Sequence, residues 1–245
     1  MKKKRLWAVG MILAALIVFS IGGERDSRTV GGAAQVEVET ERPPLAAITF
    51  DDGPRPDTTG LLLDGLALRE VPATFFLVGE RLDGCEDLLC EMKAAGHQIG
   101  IHTYSHVKLT DLTQGQYNRE VGRTREKLTE MLGQGDYWLR PPYGIVDARV
   151  QSWADGPLVL WSVDPEDWKD RDKDRIVQAV LSQVQDGDII LLHDIYQSSV
   201  EAALDIVDGL LERGFCLVTV EQLTQLRGGR PGPGEKVTCR PPNRE

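Results

Sequence analysis

Between residues 45 and 226 the apolar residues fall into two alternating patterns. Short runs bounded by turn-forming residues read as buried strands: Ala46 to Phe50, Ala73 to Val78, Gln98 to Ile101, Tyr137 to Arg140, Leu158 to Ser162, Asp188 to Leu192 and Phe215 to Val220, seven in all. Stretches between them carry apolar residues three and four apart, the spacing of a helix face. Leu61, Leu62, Leu66 and Leu68 mark one helix, and Val121, Leu128, Met131 and Leu132, closed by Gly133, mark another. Ile176, Val177, Val180, Leu181 and Val184 mark a third; Ala203, Leu204, Val207, Leu210 and Leu211, closed by Gly214, mark a fourth. Repeated βα units predict an α/β fold on a parallel sheet. No G-x-G-x-x-G follows the first strand, so a dinucleotide-binding open sheet loses its main argument. The expected architecture is a distorted, seven-stranded (β/α) barrel.

The flanks have no such periodicity. Residues 24–44 contain Gly, Glu, Arg and a Pro-Pro pair and read as a linker, and 227–245, RGGRPGPGEKVTCRPPNRE, reads as a flexible tail. This leaves 45–226 as the folded domain. At the start, Lys2, Lys3, Lys4 and Arg5 precede an uncharged apolar run from Leu6 to Ile21, the pattern of an export signal. The run is shorter than a comfortable transmembrane span of ~20 residues, and no clean A-x-A site follows it. Residues 1–23 therefore read as either a cleaved signal peptide or an N-terminal membrane anchor. Either way the lysines stay inside and the rest is delivered outside, giving an extracellular, membrane-anchored or wall-associated domain.

Composition narrows the partners. A chain of 245 residues that is 41% hydrophobic and 27% charged is globular, not disordered throughout. Without the four N-terminal cations it carries 24 basic against 38 acidic residues, a balance of −14. That surface repels nucleic acid and anionic lipid, so no nucleic-acid partner is expected, and membrane contact is expected only through the N-terminal segment. A monomer is expected. Cys85, Cys90, Cys216 and Cys239 are an even set in a compartment that permits disulfides. The preferred pairing is Cys85 with Cys90, which are close in sequence, and Cys216 with Cys239, which would pin the tail; free thiols are the alternative.

In parallel barrels, reactive residues sit where strands run out into loops. The first strand ends in Asp51-Asp52-Gly53-Pro54, the third in His102 and then His106, and the fourth at Arg140 before Pro141-Pro142-Tyr143-Gly144. The fifth runs into WSVDPEDW, and the sixth ends at His193-Asp194. If 102–106 is a helical turn, His102 and His106 lie on one side of it and can reach one cation. An aspartate would complete two histidines and a carboxylate, with positions left for water and substrate. Asp51 and Asp52 are both available, and neighbours on a strand point to opposite faces unless Gly53-Pro54 turns the chain. Taken alone an H-x-x-x-H pair is more often a surface coincidence; it gains weight because carboxylates, an arginine and another histidine converge by an independent rule. His97 has no partner at ligand spacing and reads as structural.

These residues resemble the polysaccharide deacetylase family, carbohydrate esterase family 4, across nearly all of 45–226. The matching motifs are TFDDGP (49–54), HTYSH (102–106), RPPYG (140–144), DPEDW (164–168) and LLHD (191–194), in the family's order. The resemblance implies a metal-dependent hydrolase that removes acetyl groups from N-acetylated sugars of a carbohydrate polymer. It implies that Asp52, His102 and His106 hold one divalent ion, usually zinc, and that Asp51 is the general base. By the same resemblance His193 is the general acid, Asp167 orients and charges it, and Arg140 holds Asp51 ionised. The backbone N–H of Tyr143 would donate to the oxyanion, and Trp168 and Leu191 would wall the acetyl methyl, although either could be ordinary barrel packing. Asp164 is left outside this set. The chain departs from the pattern at Ile101, where relatives often carry asparagine, and in having Cys85 and Cys90.

Three other readings differ in class. One is a cell-surface sugar-binding protein without turnover, against which stands the presence together of base, acid and all three ligands. A non-haem iron triad fits the ligand types, but the histidine spacing, βα pattern and export signal disfavour it. An O-acetyl esterase acting on xylan is the nearest rival. Export close to the membrane favours peptidoglycan N-acetylglucosamine over chitin.

Overall fold

The computed structural model describes residues 42–238. Its central strand, β1 (Leu45–Asp51), is buried at every position, as a strand covered on both faces must be. In chain order there follow α1 (Pro56–Leu68), β2 (Thr74–Leu77), α2 (Glu86–Ala94), β3 (Gln98–Ile101), α3 (Gln114–Leu132), α4 (Ala148–Trp153), β4 (Leu158–Val159) and α5 (Asp167–Asp170). The series ends with α6 (Lys173–Gln183), β5 (Asp188–His193), α7 (Gln197–Glu212), β6 (Cys216–Leu217), α8 (Val220–Arg227) and β7 (Lys236–Val237). All four predicted helices are present.

The main sheet is parallel, in the order β3-β2-β1-β5. β6 pairs Leu45 and Ala46 on the edge of β1 that β2 occupies from Thr49 to Asp51. Beyond β3 the pairing continues as single bridges, Ile101 to Leu139, Leu139 to Leu158 and Val163 to Ile190. The sheet therefore curls round on itself, and no continuous ladder closes it. α1, α2 and α7 cover it with Leu62, Leu66, Leu89, Met92, Ile206 and Val207, all fully buried with Ile48, Phe50 and Phe75. Each such side chain is worth roughly 1.5–3 kcal/mol of burial.

Several sequence expectations need correction. The run Tyr137 to Arg140 forms no ladder, only the two bridges at Leu139, to Ile101 on one side and Leu158 on the other. Its side chains are buried because the segment lies in the wall between β3 and β4, bonded to Ile101 on one side and to Pro157 and Val159 on the other, which an apolar count cannot separate from a full ladder. Leu158 to Ser162 contracts to Leu158–Val159, and Phe215 to Val220 contracts to Cys216–Leu217, because Thr219 caps α8 with a reciprocal Thr219–Gln222 capping box. The stretch read as a tail contributes β7, paired in parallel with β4. Cys85 and Cys90 are free thiols, not a disulfide. α2 explains this: it starts directly after Cys85, and five residues along a helix turn the side chain through about 140°, away from the first. Cys216 is also free, and Cys239 lies outside the described residues, as do the signal or anchor segment 1–23 and most of the linker.

Candidate active site

The C-terminal ends of β1, β3 and β5 open into one cavity of about 400 Å³, large enough for a sugar unit. Asp51, Asp52, His102, His106, Tyr143, Trp168, Leu191 and His193 all line it. Arg140 and Asp167, both fully buried, stand behind this lining. Thus every residue that the resemblance assigns to the site is at the cavity or one hydrogen bond from it. His97 lies elsewhere: it accepts a hydrogen bond from the Ala73 N–H at Nδ1 (3.0 Å), packs edge-on to Phe75, and is pushed down to about 4 by burial, so it is neutral.

The two aspartates share the cavity because the chain leaves β1 in an unusual conformation. β1 ends at Asp51, and Asp52 adopts a left-handed backbone (φ 72°), a conformation an aspartate tolerates better than most residues. Arg81 donates to the Asp52 carbonyl, and the Val78 N–H donates to the Gly53 carbonyl (2.9 Å), which hold the turn. Gly53 is required by close approach, since a Cβ there would lie 2.4 Å from Asp194 Oδ2. Asp194 is itself buried and accepts a 2.5 Å bond from the Thr59 hydroxyl, tying the end of β5 to α1.

The histidine pair converges by a different route from the expected helical turn. Residues 102–106 form a bent loop with Thr103 and His106 both left-handed (φ 61° and 55°), which brings the two rings to 5.0 Å. Glu120 of α3 braces this loop. Its carboxylate accepts from the N–H groups of Tyr104 (3.0 Å) and Ser105 (2.9 Å) and from the Ser105 hydroxyl. From the other side, the Gly79 and Glu80 N–H groups donate to the carbonyls of Thr103 and Tyr104.

The donor set fits a cation. His102 Nδ1 lies 2.7 Å from the Arg140 carbonyl, which can only accept, so the proton is on Nδ1 and the Nε2 lone pair is free. Burial pushes this imidazole down to about 3, the charge of Asp52 opposing, and it is neutral as a ligand must be. Asp52 Oδ1 is buried, accepts no hydrogen bond, and lies 3.3 Å from His106 Nε2 and 3.7 Å from His102 Nε2. The three donor atoms fall within 4.8 Å of one another. An orphaned carboxylate oxygen facing two imidazole nitrogens is the signature of a metal position.

Two charge pairs flank these donors. On one side Arg140 Nη1 donates to Asp51 Oδ1 (2.8 Å) and Thr49 Oγ1 (2.7 Å), while Nη2 donates to the Leu160 carbonyl (3.0 Å). Burial lifts the Asp51 carboxyl above the usual carboxylate range; the charges of Arg140 and His193 pull it back only in part. Arg140 thus acts in the direction expected, but burial prevails, which brings a base closer to neutral pH. On the other side Asp167 accepts from both the ring Nδ1 (2.7 Å) and the backbone N–H (2.8 Å) of His193. Burial opposes the charge on His193, but the Asp167 bond and charge, with Asp51 and Asp52 beyond, lift it to about 9.

Comparison with known proteins gives this geometry a context. A family model for polysaccharide deacetylase matches residues 39–155. A peptidoglycan-N-acetylglucosamine deacetylase of Bacillus cereus is 36% identical over 186 residues, covering 73% of this chain and 68% of the relative. The chain belongs to the polysaccharide deacetylase family. A peptidoglycan-N-acetylmuramic acid deacetylase of Bacillus subtilis is 40% identical over 186 residues, 76% of this chain but only 40% of that protein. Among solved structures, a family 4 acetyl xylan esterase from Clostridium thermocellum in complex with a cobalt ion superposes with a TM-score of 0.77 at 30% identity, covering 80% of this chain and 99% of that one. The deacetylase match takes in TFDDGP, HTYSH and RPPYG, whereas DPEDW and LLHD lie beyond it. The fold nonetheless places His193 at the same cavity, with Asp167 bonded to it from behind.

Trp161 and Asp164 also line the cavity and were not among the expected site residues. Both lie in the WSVDPEDW run after β4, so a signal was present. Asp194 stood in the LLHD motif without a role, and for Glu120 and Thr59 as braces there was no signal that distinguishes them from other polar residues of their helices. Tyr143 is 60% exposed, left-handed (φ 62°), with its ring edge-on to His106 at 4.9 Å. Leu191 is buried and Trp168 half exposed, so Leu191 belongs to the floor and Trp168 to the rim.

Proposed function

We propose that this domain removes N-acetyl groups from N-acetylglucosamine units of cell-wall peptidoglycan. The observation that carries the reading is the placement of Asp51 with Arg140, and of His193 with Asp167, at a single cavity that also holds the Asp52, His102 and His106 donors. A divalent cation held by those three residues, zinc in our reading, supplies Lewis acidity toward an acetamide carbonyl and a water molecule. The chain's own groups divide the proton traffic. Asp51 takes the proton of the attacking water, at a carboxylate whose orientation Arg140 fixes. The Tyr143 N–H donates to the carbonyl oxygen as it gains charge. His193, protonated at neutral pH, gives its proton to the departing amine, and Asp167 keeps it charged and aimed. Leu191 and Trp168 exclude water from the side of the acetyl methyl.

An O-acetyl esterase acting on xylan is the second reading, favoured by the likeness to the acetyl xylan esterase, since the same groups can attack an ester. Peptidoglycan is preferred because relatives of both Bacillus species bear that substrate in their names and because the N-terminal segment reads as an export signal or anchor. Acetate and free amine released from peptidoglycan, chitooligosaccharide and acetylxylan separate the readings. Amine from peptidoglycan supports the proposal; acetate without amine, from acetylxylan alone, assigns the esterase.

A further inference from the structure

Beside the acid end of the cavity, two arginines stand free of carboxylates. Among the described residues eight arginines pair with carboxylates, as expected in so acidic a chain. Six others, Arg55, Arg81, Arg119, Arg123, Arg171 and Arg213, do not, and of these Arg55 and Arg171 contact the loop that follows His193. Both are exposed, and they flank the loop that follows His193. Arg55, in the turn after β1, donates through Nη1 to the Ile195 carbonyl (3.2 Å). Arg171, three residues past Trp168, lies over the ring of Tyr196 at 4.0 Å, and that ring lies 6.5 Å from the ring of His193. The acids on either side of Arg171 are engaged elsewhere: Asp170 pairs with the Arg175 guanidinium, and Asp172 accepts from the Arg175 N–H.

Each guanidinium is held by a contact that uses part of its surface and leaves most of its five N–H donors to solvent. Stacking on Tyr196 fixes Arg171 in advance, so less side-chain freedom is lost on binding. A planar cation of this kind recognises a carboxylate through paired N–H···O bonds. Neutral glycans such as chitin or acetylxylan carry no carboxylate, whereas a wall glycan carries them on lactyl ethers or on the peptides attached there.

We infer that Arg55 and Arg171 form a subsite for a carboxylate carried on the glycan next to the sugar being deacetylated. This rests on the carbohydrate-polymer reading of the cavity and adds a source of discrimination among polymers. The subsite also counters the repulsion between an anionic glycan and a domain whose net charge is negative.

The test uses the metal-loaded protein and its Arg55→Gln/Arg171→Gln variant on four oligosaccharides. These are chitotetraose, an alternating N-acetylglucosamine–N-acetylmuramic acid tetrasaccharide with free lactyl carboxylates, the same tetrasaccharide capped as methylamides, and one bearing peptides with free carboxylates. The double variant should raise KM about tenfold on a carboxylate-bearing substrate, with kcat and both uncharged substrates unchanged, and the difference should fade as salt screens the pair. Whether the free-lactyl or the peptide-bearing arm responds assigns the source of the carboxylate. Equal effects on charged and uncharged substrates, or none on any, would overturn the inference. If the wild type releases amine from none of the four, the deacetylase reading fails on its own. Calorimetric binding of the lactyl, peptide-bearing and methylamide-capped compounds to both proteins then still decides the subsite.

Discussion

Arg140 is bonded to both His102 and Asp51: its carbonyl accepts the Nδ1 proton of His102, while its guanidinium grips Asp51. One residue thereby sets the tautomer of a candidate metal ligand and the aim of the candidate base. Thr49 and the Val159 and Leu160 carbonyls take the remaining guanidinium donors. Lysine, with one compact ammonium, cannot serve this fan of acceptors. Arg140→Lys should therefore lower kcat by at least tenfold and reduce the melting temperature, both measurable on one preparation, while retaining metal through the unchanged backbone carbonyl.

The Asp167–His193 pair predicts a pH dependence with a definite sign. His193 is lifted to about 9 from an ordinary 6.5. Its contribution to stability is complete below pH 6.5 and is lost as pH rises through 9. In the proposed reaction the same proton is the one given to the leaving amine, so activity should fall on the alkaline side near pH 9. In Asp167→Asn the alkaline limb should move down toward the ordinary histidine value, and the loss of melting temperature between pH 6.5 and 9 should shrink. Unchanged limbs in both measurements would remove His193 from the acid role.

Glu120 touches no candidate ligand, yet it holds the loop that brings His106 to His102. Glu120→Ala leaves the N–H groups of Tyr104 and Ser105 without their acceptor. Loss of such outer support commonly weakens metal affinity by about 10–100-fold. Competition with a chelator should show that drop, with far-ultraviolet circular dichroism unchanged.

Gly53→Ala is a steric test of the turn that aims Asp52. The added carbon would press on the buried Asp194 carboxylate, an overpacking that typically costs about 1–3 kcal/mol. Urea unfolding should register the loss of stability, and metal affinity should fall with it because Asp52 moves.

Much of this site was legible in the chain because its chemistry clusters at strand ends. β1, β2, β3 and β5 declare themselves by short runs of buried, mostly apolar residues, and Asp51, Asp52, His102 and His193 stand at the ends of such runs, with His106 four residues further on. What could not be read were features decided by long-range packing. Tyr137 to Arg140 looks like a strand since its residues are buried, but ladder pairing depends on neighbours remote in sequence. His102 and His106 were placed together for a helical reason, whereas left-handed Thr103 and His106, braced by Glu120, do the work. The strand in the C-terminal stretch escaped notice because Lys236 and Val237 are too few to make a pattern. Cys85 and Cys90 were close in sequence, and a helix turns them apart.

The most direct test of the central claim is free-amine release from peptidoglycan by the metal-loaded protein, by Asp51→Asn and by His102→Ala, with bound metal measured in each. The account predicts amine from the wild type, a loss of about a hundredfold or more in Asp51→Asn with metal retained, and loss of both metal and amine in His102→Ala. Amine release that persists in Asp51→Asn, or a wild type that binds metal and releases no amine, would contradict it.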